Sequence, residues 1–406
     1  RASYGIVGND KMENARFLYL SGSWNGYNTV KKNQGSWQFG QEGGTALLPD
    51  AKENTVGNPD VTWETVAKQN YGIDLKMFDS RLSFTADIFF EKRKDILSTR
   101  NTLPTITDIQ LPKINLGKVN NHGYELSLGW NDRAGKVNYW VKANMSYAKN
   151  KIIYMDEVVP NEPYMAETGR STGLNYGYLF DRFLQKDDFD ADGKLKVDAN
   201  GEQILPKMSL GTPRPGDTLF KDLNGDGVID GDDKTYFGYA RHPEYVFGFL
   251  GGFSWKNFEF SMQWTAAMNA SRILEGEYRN AFGSTNSRML LKFLADGRWT
   301  EENPCSRFPR LTFMNKTHYL EDTDLWLMNG SYLRLKTAEI SYTFQNKDFL
   351  KKIGVESVRL YCNGYNLLTL FSDLNDIDID PEGKTSGGDN TYPNVRIYNF
   401  GINVSF

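Results

Sequence analysis

The sequence contains no hydrophobic run long enough to form a transmembrane helix. Its 406 residues have a negative mean hydropathy, and no stretch approaches the 18 consecutive apolar residues that such a helix needs. A helical membrane protein is therefore excluded. Aromatic residues make up 14% of the chain, so a β protein with an aromatic-rich surface remains compatible with the composition.

Cysteine, histidine and net charge are also scarce. Cys305 and Cys362 lie far apart without motif spacing, which argues against a disulfide framework. The 47 basic and 51 acidic residues leave a net charge of -4, and no long basic stripe predicts a nucleic-acid partner. The histidines at 122, 242 and 318 show no metal spacing. We find no GxSxG elbow and no placed carboxylate pair, and so predict that the chain is not an enzyme.

Alternation of apolar and polar residues is the recurring pattern. In "YGIDLKM", for example, Tyr71, Ile73, Leu75 and Met77 fall on one face, and Gly72, Asp74 and Lys76 on the other. The same period of two recurs in "LSFTADIFFE", "YELSLGW", "VNYWVKANMSY" and "FEFSMQW". A period of two predicts β-strands with one apolar face.

Tight and long joints alternate strictly between these segments. The tight joints span residues 78–81, 131–136 and 254–259, one of medium length spans 345–356, and the long ones span 9–60, 99–117, 156–241, 270–325 and 372–394. This order predicts a transmembrane antiparallel β-barrel with short periplasmic turns and long extracellular loops, here about ten strands. A soluble sandwich or barrel is the alternative. Aromatic residues near both ends of the apolar faces favour the membrane barrel.

Two strands need separate comment. In "SYLRLKTAEISYTF" the apolar phase slips by one residue near Lys336–Thr337, which predicts a β-bulge. In the C-terminal strand the apolar residues are predicted to face lipid: Tyr398, Phe400, Ile402, Val404 and Phe406. This last strand is expected to pair with the first strand and so close the barrel. This pattern resembles the C-terminal insertion signal of bacterial outer-membrane proteins. Cys362 is expected on the same apolar side.

Five phrases carry a family resemblance and occur in this order: "RASYGIVGN", "NPDVTWETVAKQNYGIDLKMFDSRLSFTADIFFEKRKDIL", "GKVNNHGYELSLGW", "FKDLNGDGVIDGDDKTYFG" and "NGSYLRLKTAEISYTF". Together they resemble the C-terminal half of SusC/RagA-type TonB-dependent transporters of the Bacteroidetes outer membrane. The resemblance covers nearly the whole chain, so residues 1–406 are expected to be the C-terminal portion of such a barrel.

The resemblance implies a plugged barrel of about 22 strands that imports glycans or peptides, closed from outside by a SusD-like lipoprotein. It places coupling to the TonB complex, the plug and the first barrel half outside this sequence, either in a longer protein or on a second chain. This polypeptide is not expected to transport alone. The alternative is a surface-exposed binding or adhesin protein with calcium-pinned loops. A secreted hydrolase on a soluble β fold is disfavoured by the aromatic pattern.

An EF-hand-like sequence lies within the long loop 156–241. In "DLNGDGVIDGDD" the oxygen-bearing residues stand at loop positions 1, 3, 5, 7, 9 and 12, and Gly227 permits the sharp turn at position 6. These residues are predicted to bind Ca²⁺ in a structural role: Asp222, Asn224, Asp226, Val228 (through its carbonyl), Asp230 and Asp233. An acidic turn without metal is the alternative.

Weaker candidates complete the set. The run "DFDADGKLKVDA" places Asp188, Asp190 and Asp192 at similar spacing but has Ala199 at position 12, so a hairpin turn is favoured there. Aromatic residues of the first long loop are expected to be loop core or contacts to the lid protein rather than substrate residues: Trp24, Tyr27 and Trp37. Substrate-contacting residues are not predicted.

Overall fold

Ten long strands form one antiparallel sheet. The computed structural model describes residues 1–9, 18–20, 37–38, 47–48, 56–102, 112–209, 211–282, 290–313, 321–345, 352–383, 385 and 394–406. The strands are β1 (Ala2–Asn9), β2 (Glu64–Met77), β3 (Leu82–Ser98), β4 (Ile114–Ala134), β5 (Val137–Tyr154), β6 (Tyr245–Trp255), β7 (Phe258–Met268), β8 (Tyr332–Gln345), β9 (Ser357–Leu370) and β10 (Ile397–Ser405).

Each strand pairs with its neighbour in sequence, so the sheet order is β1 to β10 without a crossover. Within the described residues, β1 and β10 do not pair with each other, and the expected closure of last strand on first is not seen in this sheet. The count of ten strands confirms the prediction. No helix of the described chain is long and apolar enough to cross a membrane.

Alternation gives the sheet two chemically different faces. Residues that pair across strands share a face, and one such line reads Tyr139, Phe253, Phe260, Ile340, Cys362 and Phe400. We call this side the apolar face. Its side chains are exposed where a soluble fold would bury them; Phe400 is 81% exposed and Phe406 is 87% exposed. An apolar surface this continuous needs an apolar environment.

The predicted phase slip in β8 is a bulge. Gln263 pairs with Thr337 and Trp264 with Leu335, so Lys336 is skipped on this side. The register towards β9 shifts between the same residues, Leu335 and Thr337. One extra residue returns the following apolar side chains to the correct face. The bulge prediction is therefore confirmed.

Three predicted joints are shorter in the structure, and one of them, 254–259, is reduced to residues 256–257 between β6 and β7. β4 runs to Ala134 and β5 starts at Val137, so residues 131–134 are strand and only 135–136 turn, with Gly135 at a φ of 61°. The predicted long joint 99–117 starts as expected but ends when β4 begins at Ile114. The extra pairing of Ser98 with Ile114 passes through register shifts near Ile96, which hide it from a simple period-two pattern.

The long joints all leave the same end of the sheet, which we call the outer end. They carry the short strands Trp37–Gln38, Leu47–Leu48, Asn175–Tyr178, Phe180–Phe183, Lys207–Met208, Thr218–Phe220, Val228–Ile229, Lys234–Phe237, Ser271–Ile273 and Leu327–Asn329. A single short α-helix, α1, spans Lys292–Asp296 within the described chain. The 3₁₀ turns are Pro163–Met165, Lys186–Asp188, Gly231–Asp233, Gly276–Tyr278, Asp324–Trp326 and Asp373–Ile377.

Candidate functional site: the polar face and the loop cap

The second face of the sheet, which we call the polar face, carries paired charges. The guanidinium of Arg1 lies 2.6 Å from the carboxylate of Asp74 and 2.7 Å from that of Asp87. Lys68 lies 3.0 Å from Glu91. Because most of these groups remain partly exposed, the pairs fix side-chain orientation more than they stabilise the fold. The face therefore presents ordered donors and acceptors to solvent.

A ladder of polar contacts continues this face across the last three strands. Arg359 on β9 pairs with Glu339 on β8, and Asn363 donates to the same carboxylate at 3.1 Å. The side-chain amide of Asn399 on β10 donates to the side-chain oxygen Oδ1 of Asn363 at 3.0 Å. A hydrogen-bonded, charged surface opposite an apolar one is the arrangement of a barrel wall between water and lipid.

A cavity of about 500 Å³ opens at the outer end between β3, β4, β5 and the β5–β6 loop. Its lining combines carboxylate, guanidinium, amide, hydroxyl and imidazole groups, including Glu91, Arg93, Asn121, Asn150, Thr172 and His242. Asn121 donates to Glu91 at 3.2 Å, and the side-chain oxygen of Asn150 accepts from the Thr172 amide at 2.7 Å. Mixed donors and acceptors of this kind can hold a polar solute by hydrogen bonds.

An apolar hollow of about 400 Å³ lies on the other face and is lined by residues such as Phe84, Leu126, Met145, Phe249 and Trp264. These residues belong to the apolar rows of the sheet. The hollow is therefore suited to hydrocarbon chains, not to a polar substrate.

The described parts of the β5–β6, β7–β8 and β9–β10 joints fold into what we call the loop cap, which has two hydrophobic cores. The first core belongs to the β5–β6 joint and contains Tyr178, Leu184, Phe189, Leu219, Phe220 and Ile229. The second is shared by the β7–β8 and β9–β10 joints and contains Leu274, Ala281, Leu294, Phe308, Trp326, Met328, Leu374, Ile377 and Ile379. Buried cores of this size make the described loops a folded structure.

Backbone contacts join the two parts of the cap. The amide of Tyr178 donates to the Asp322 carbonyl at 2.9 Å, and the amide of Phe180 donates to the Asp324 carboxylate at 2.7 Å. Gly177 lies so close to Asp322 that a Cβ there would sit 1.9 Å from its carbonyl oxygen. Glycine is required at this crossing because any side chain would collide with backbone.

Two largely buried arginines, neither predicted from the sequence, add ion pairs: Arg310 joins the two parts of the cap, and Arg334 joins the β9–β10 joint to the sheet. Arg310 donates to Asp217, whose side chain is fully buried, at 2.7 Å and 3.3 Å. Arg334 of β8, only 1% exposed, binds Asp380 at 2.9 Å and Glu382 at 3.0 Å. Their partners are 93, 46 and 48 residues away, so no local pattern could have revealed these pairs.

The pKa of Glu382 reflects its contact with Arg334. Burial alone would raise it, but the Tyr332 hydroxyl donates a hydrogen bond and Arg334 and Lys336 add positive charge. The net effect lowers the pKa of Glu382 below its usual value. The carboxylate is therefore ionised and holds the β9–β10 joint against β8.

The predicted calcium loop is a hydrogen-bonded acidic turn. Asp222 accepts from the amides of Gly225 and Gly227 at 2.7 Å and 2.9 Å, and Asn224 and Asp226 each accept from an amide two residues on. Asp233, which is fully buried, accepts from Leu223 and Asp230. In the described residues no three acidic, histidine or cysteine side chains converge to hold a metal.

The oxygen chemistry of this turn still suits a hard cation, and calcium binding stays a prediction. Negative charge does accumulate beside it. Burial, followed by Glu162, Asp233, Asp232 and Asp222, raises the pKa of Tyr164 to about 12. The Tyr164 hydroxyl donates to the Asp232 carbonyl at 2.6 Å, which ties the turn to the start of the same loop.

The weaker acidic run is a hairpin turn, as the sequence favoured. Phe189 bridges Leu195 in antiparallel fashion, and the amide of Asp192 donates to the Asp190 carboxylate at 3.0 Å. Asp188 is held by Arg182 at 2.7 Å and 2.9 Å. Although burial raises the pKa of Asp188, the hydrogen bonds from Arg182 and the Gln185 amide lower it below its ordinary value.

The remaining sequence predictions concern the C-terminal strand, Cys362 and the aromatic residues of the first long joint. Tyr398, Phe400, Ile402 and Val404 lie on the apolar face of β10, and Phe406 follows the strand as an exposed residue. Cys362 pairs with Ile340 and Phe400 on that face, as predicted. Trp24 and Tyr27 lie outside the described residues; the backbone of Trp37 pairs with Leu48, and its side chain is not described.

Comparison with known proteins decides the family. The sequence model described as "TonB dependent receptor-like, beta-barrel" matches residues 20–367. The chain belongs to this family. It forms part of a β-barrel of the bacterial outer membrane, which confirms the fold class and the location predicted from alternation and loop length.

The similar proteins show how much of a receptor this chain represents. It is 26% identical to TonB-dependent receptor P3 of Formosa agariphila and 22% identical to TonB-dependent receptor SusC of Bacteroides thetaiotaomicron, over 100% of this chain and 39% and 37% of theirs. A solved structure of the RagAB peptide transporter matches with 23% identity and a TM-score of 0.69, over 100% of this chain and 40% of that one. This TonB-dependent barrel chain thus spans about two fifths of its relatives. The SusC/RagA resemblance is confirmed.

Proposed function

We propose that this chain is the C-terminal barrel wall of a TonB-dependent importer that takes up glycans or peptides beneath a SusD-like lipoprotein lid. The observation that carries the proposal is the division of one sheet into a lipid-compatible face and an ordered polar face. A polar inner surface serves a pathway for polar solutes, whereas a surface adhesin needs only its loops. The chain itself has no catalytic role in this proposal.

The name of one similar protein supports one of the two substrate classes, the peptides. RagAB is described as a peptide transporter, and SusC as a TonB-dependent receptor. The cavity at the outer end offers both donors and acceptors, as either a peptide backbone or a sugar hydroxyl requires. We therefore retain glycans and peptides as alternatives, with Bacteroidetes as the proposed source.

We assign the remaining functions to the rest of the full-length protein and its partners. The plug and the contact with the TonB complex belong to the part of the relatives that this chain does not match. The lid would rest on the loop cap. We propose that Ca²⁺, bound at residues 222–233, would pin the cap and take no part in chemistry.

The test begins with the native assembly. The full-length protein is purified from its outer membrane in mild detergent, and its chains are identified by native mass spectrometry. Uptake of labelled oligosaccharides and peptides is then compared in wild-type, deletion and tonB-deletion strains. A plug-bearing assembly with a lid lipoprotein and TonB-dependent uptake supports import. Binding to cells without TonB-dependent uptake would instead support the adhesin alternative.

Two adjacent asparagines of β4 provide a matched pair of variants. Asn121 lines the polar cavity, whereas Asn120 falls on the opposite face of the same strand. Asn121→Ala removes one hydrogen-bonding group from the pathway and should reduce uptake about three- to tenfold. Asn120→Ala should leave uptake unchanged. Equal effects of the two variants would contradict a solute path along the polar face.

A further inference from the structure

Basic residues cluster on the apolar face where β3, β4 and β5 reach the outer end. A row of three tyrosines crosses that face, Tyr124, Tyr147 and Tyr245, whose neighbouring ring centroids are 5.2 Å and 4.6 Å apart, and Phe90 lies one row farther out, opposite His122. Beyond this row His122 pairs with Lys149, and Asn120 stands between Lys92 and Lys151. We call the following residues the basic belt: Lys92, Lys94, Lys118, His122, Lys149 and Lys151.

The positive charges of the basic belt are paired with carboxylates less completely than those of the polar face are. On the polar face of the same strands, Lys68 lies 3.0 Å from Glu91 and Arg93 lies 4.0 Å from Glu64. Counting carboxylates of the described residues, two lysines of the basic belt have acidic partners: Lys149 lies 2.9 Å from Glu244 and Lys94 lies 3.9 Å from Asp95.

Three lysines of the belt have no such partner. Within the described chain, no carboxylate lies within 4.0 Å of the ammonium groups of Lys92, Lys118 or Lys151. Lys118 instead stands over the ring of Tyr154, 5.9 Å from its centroid. Like charges gathered on neighbouring strands are unfavourable unless an anion neutralises them.

A cavity of about 340 Å³ opens beside the belt. It lies between His122, Lys149 and Lys151 of the sheet and Arg170 and Tyr239 of the loop cap, and Glu244, the partner of Lys149, also lines it. Arg170 donates to the carbonyls of Ala166 and Tyr164 at 2.8 Å and 2.7 Å, which fixes its positive charge at this place. The cavity is therefore bordered by cations from two parts of the chain.

The height of the belt in the bilayer identifies the anion. Strands rise about 3.3 Å per residue and tilt by roughly 40° in such barrels. Phe90 marks the edge of the hydrocarbon on β3, so Lys92 and Lys94 lie about 5 Å and about 10 Å farther out, and Lys151 lies level with Lys92 through Asn120. The headgroup layer is roughly 5–8 Å deep on each side. The basic belt does not extend to the neighbouring strand β2, which places uncharged residues opposite Phe90, Lys92 and Lys94: Gln69, Ala67 and Thr65.

We propose that the basic belt and its cavity bind the phosphorylated headgroup of a glycolipid of the outer leaflet. The lysines without acidic partners would contact phosphate oxygens, and the acyl chains would lie along the apolar rows below. This inference depends on the membrane position of the sheet and not on import, so it survives if the transported solute is neither glycan nor peptide.

The test measures lipid retained by the full-length protein. The protein is purified in mild detergent, exchanged free of native lipid, and titrated with bisphosphorylated lipid A under native mass spectrometry. One variant carries Lys92→Gln, Lys118→Gln and Lys151→Gln. The control carries Lys136→Gln, Lys256→Gln and Lys352→Gln, which remove the same charge near the opposite end of the sheet. A heat-modifiability gel confirms that each variant is folded.

A lysine near an anionic membrane surface contributes about fivefold to affinity, so the belt variant should bind bisphosphorylated lipid A roughly 100-fold more weakly. The control should bind as the wild type does. Wild-type protein should also lose binding when the lipid phosphates are removed. Equal affinity for the dephosphorylated lipid, or an unchanged affinity in the belt variant, would overturn the proposal. If inorganic phosphate displaced the bound lipid A at a concentration equal to that of the lipid, the belt would be a simple phosphate site, and this result would also overturn the proposal.

Discussion

The buried pair of Asp217 and Arg310 should hold the two parts of the loop cap together. The Asp217 side chain is fully buried and accepts from Arg310 at 2.7 Å and 3.3 Å, and from the Arg214 amide at 2.9 Å. Its backbone is part of the same junction, because the amide of Leu184 donates to the Asp217 carbonyl and that of Arg310 donates to the Gly216 carbonyl.

Replacing Asp217 by alanine leaves the Arg310 guanidinium buried without its carboxylate. Breaking one partner of a buried pair costs about 3–5 kcal/mol, which corresponds to an increase of about 150- to 5,000-fold in the open population of the junction. Hydrogen–deuterium exchange of the full-length protein in detergent measures this opening at the amides of Leu184, Gly216 and Arg310. Amides in the centre of β4 should keep their protection.

A surface pair at the same junction provides the control. Lys186 and Glu301 are 3.3 Å apart and mostly exposed, so Lys186→Ala should change amide protection by less than about fivefold. If Asp217→Ala changes protection at Gly216 and Arg310 no more than this control does, the buried pair does not hold the cap, and our account of its two joined cores is wrong.

Three further predictions follow from other features of the chain. Calorimetry should detect Ca²⁺ binding with a dissociation constant of about 10⁻⁴–10⁻³ M, lost in Asp226→Ala and kept in Asp190→Ala; no heat with wild-type protein would exclude the calcium loop. Phe406→Asp should lower the folded, heat-modifiable fraction in outer membranes severalfold, whereas Ser405→Asp should not, and equal loss would argue against terminal recognition. The pKa of Asp188 is depressed because its hydrogen bonds outweigh the opposing effect of burial. The stability that this carboxylate gives its hairpin is therefore present above about pH 4 and is lost as pH falls through the lower folded-state pKa. Amide protection in the hairpin should depend on pH in this way, and Asp188→Asn should abolish the dependence.

The barrel strands were predictable because lipid and water impose a period of two along each of them. The rule even located the bulge at Lys336, since a single extra residue must shift every following apolar side chain to the other face. It predicted less well where pairing is irregular. Ser98 and Ile114 pair through shifted register, and their segments contain no clean alternation.

The loop cap was much less predictable for a physical reason. Its second core is assembled from separate joints, so Leu374 and Trp326 share one core without any periodic relation between them. Arg334 appeared as one polar residue of an alternating strand, and its partners Asp380 and Glu382 lie beyond β9. The carboxylates of the acidic turn accept from backbone amides, which spacing alone could not reveal; calcium binding there stays a prediction.

The most direct test of the account is the environment of two adjacent residues on β10. Nitroxide labels at Phe400→Cys and Asn399→Cys, in the full-length protein reconstituted into bilayers, report collision with oxygen in lipid and with a nickel complex in water. We expect strong oxygen exposure at position 400 and strong nickel exposure at position 399, because the two side chains point to opposite faces of the sheet. Equal exposure to nickel at both positions would contradict a barrel wall with one face in lipid.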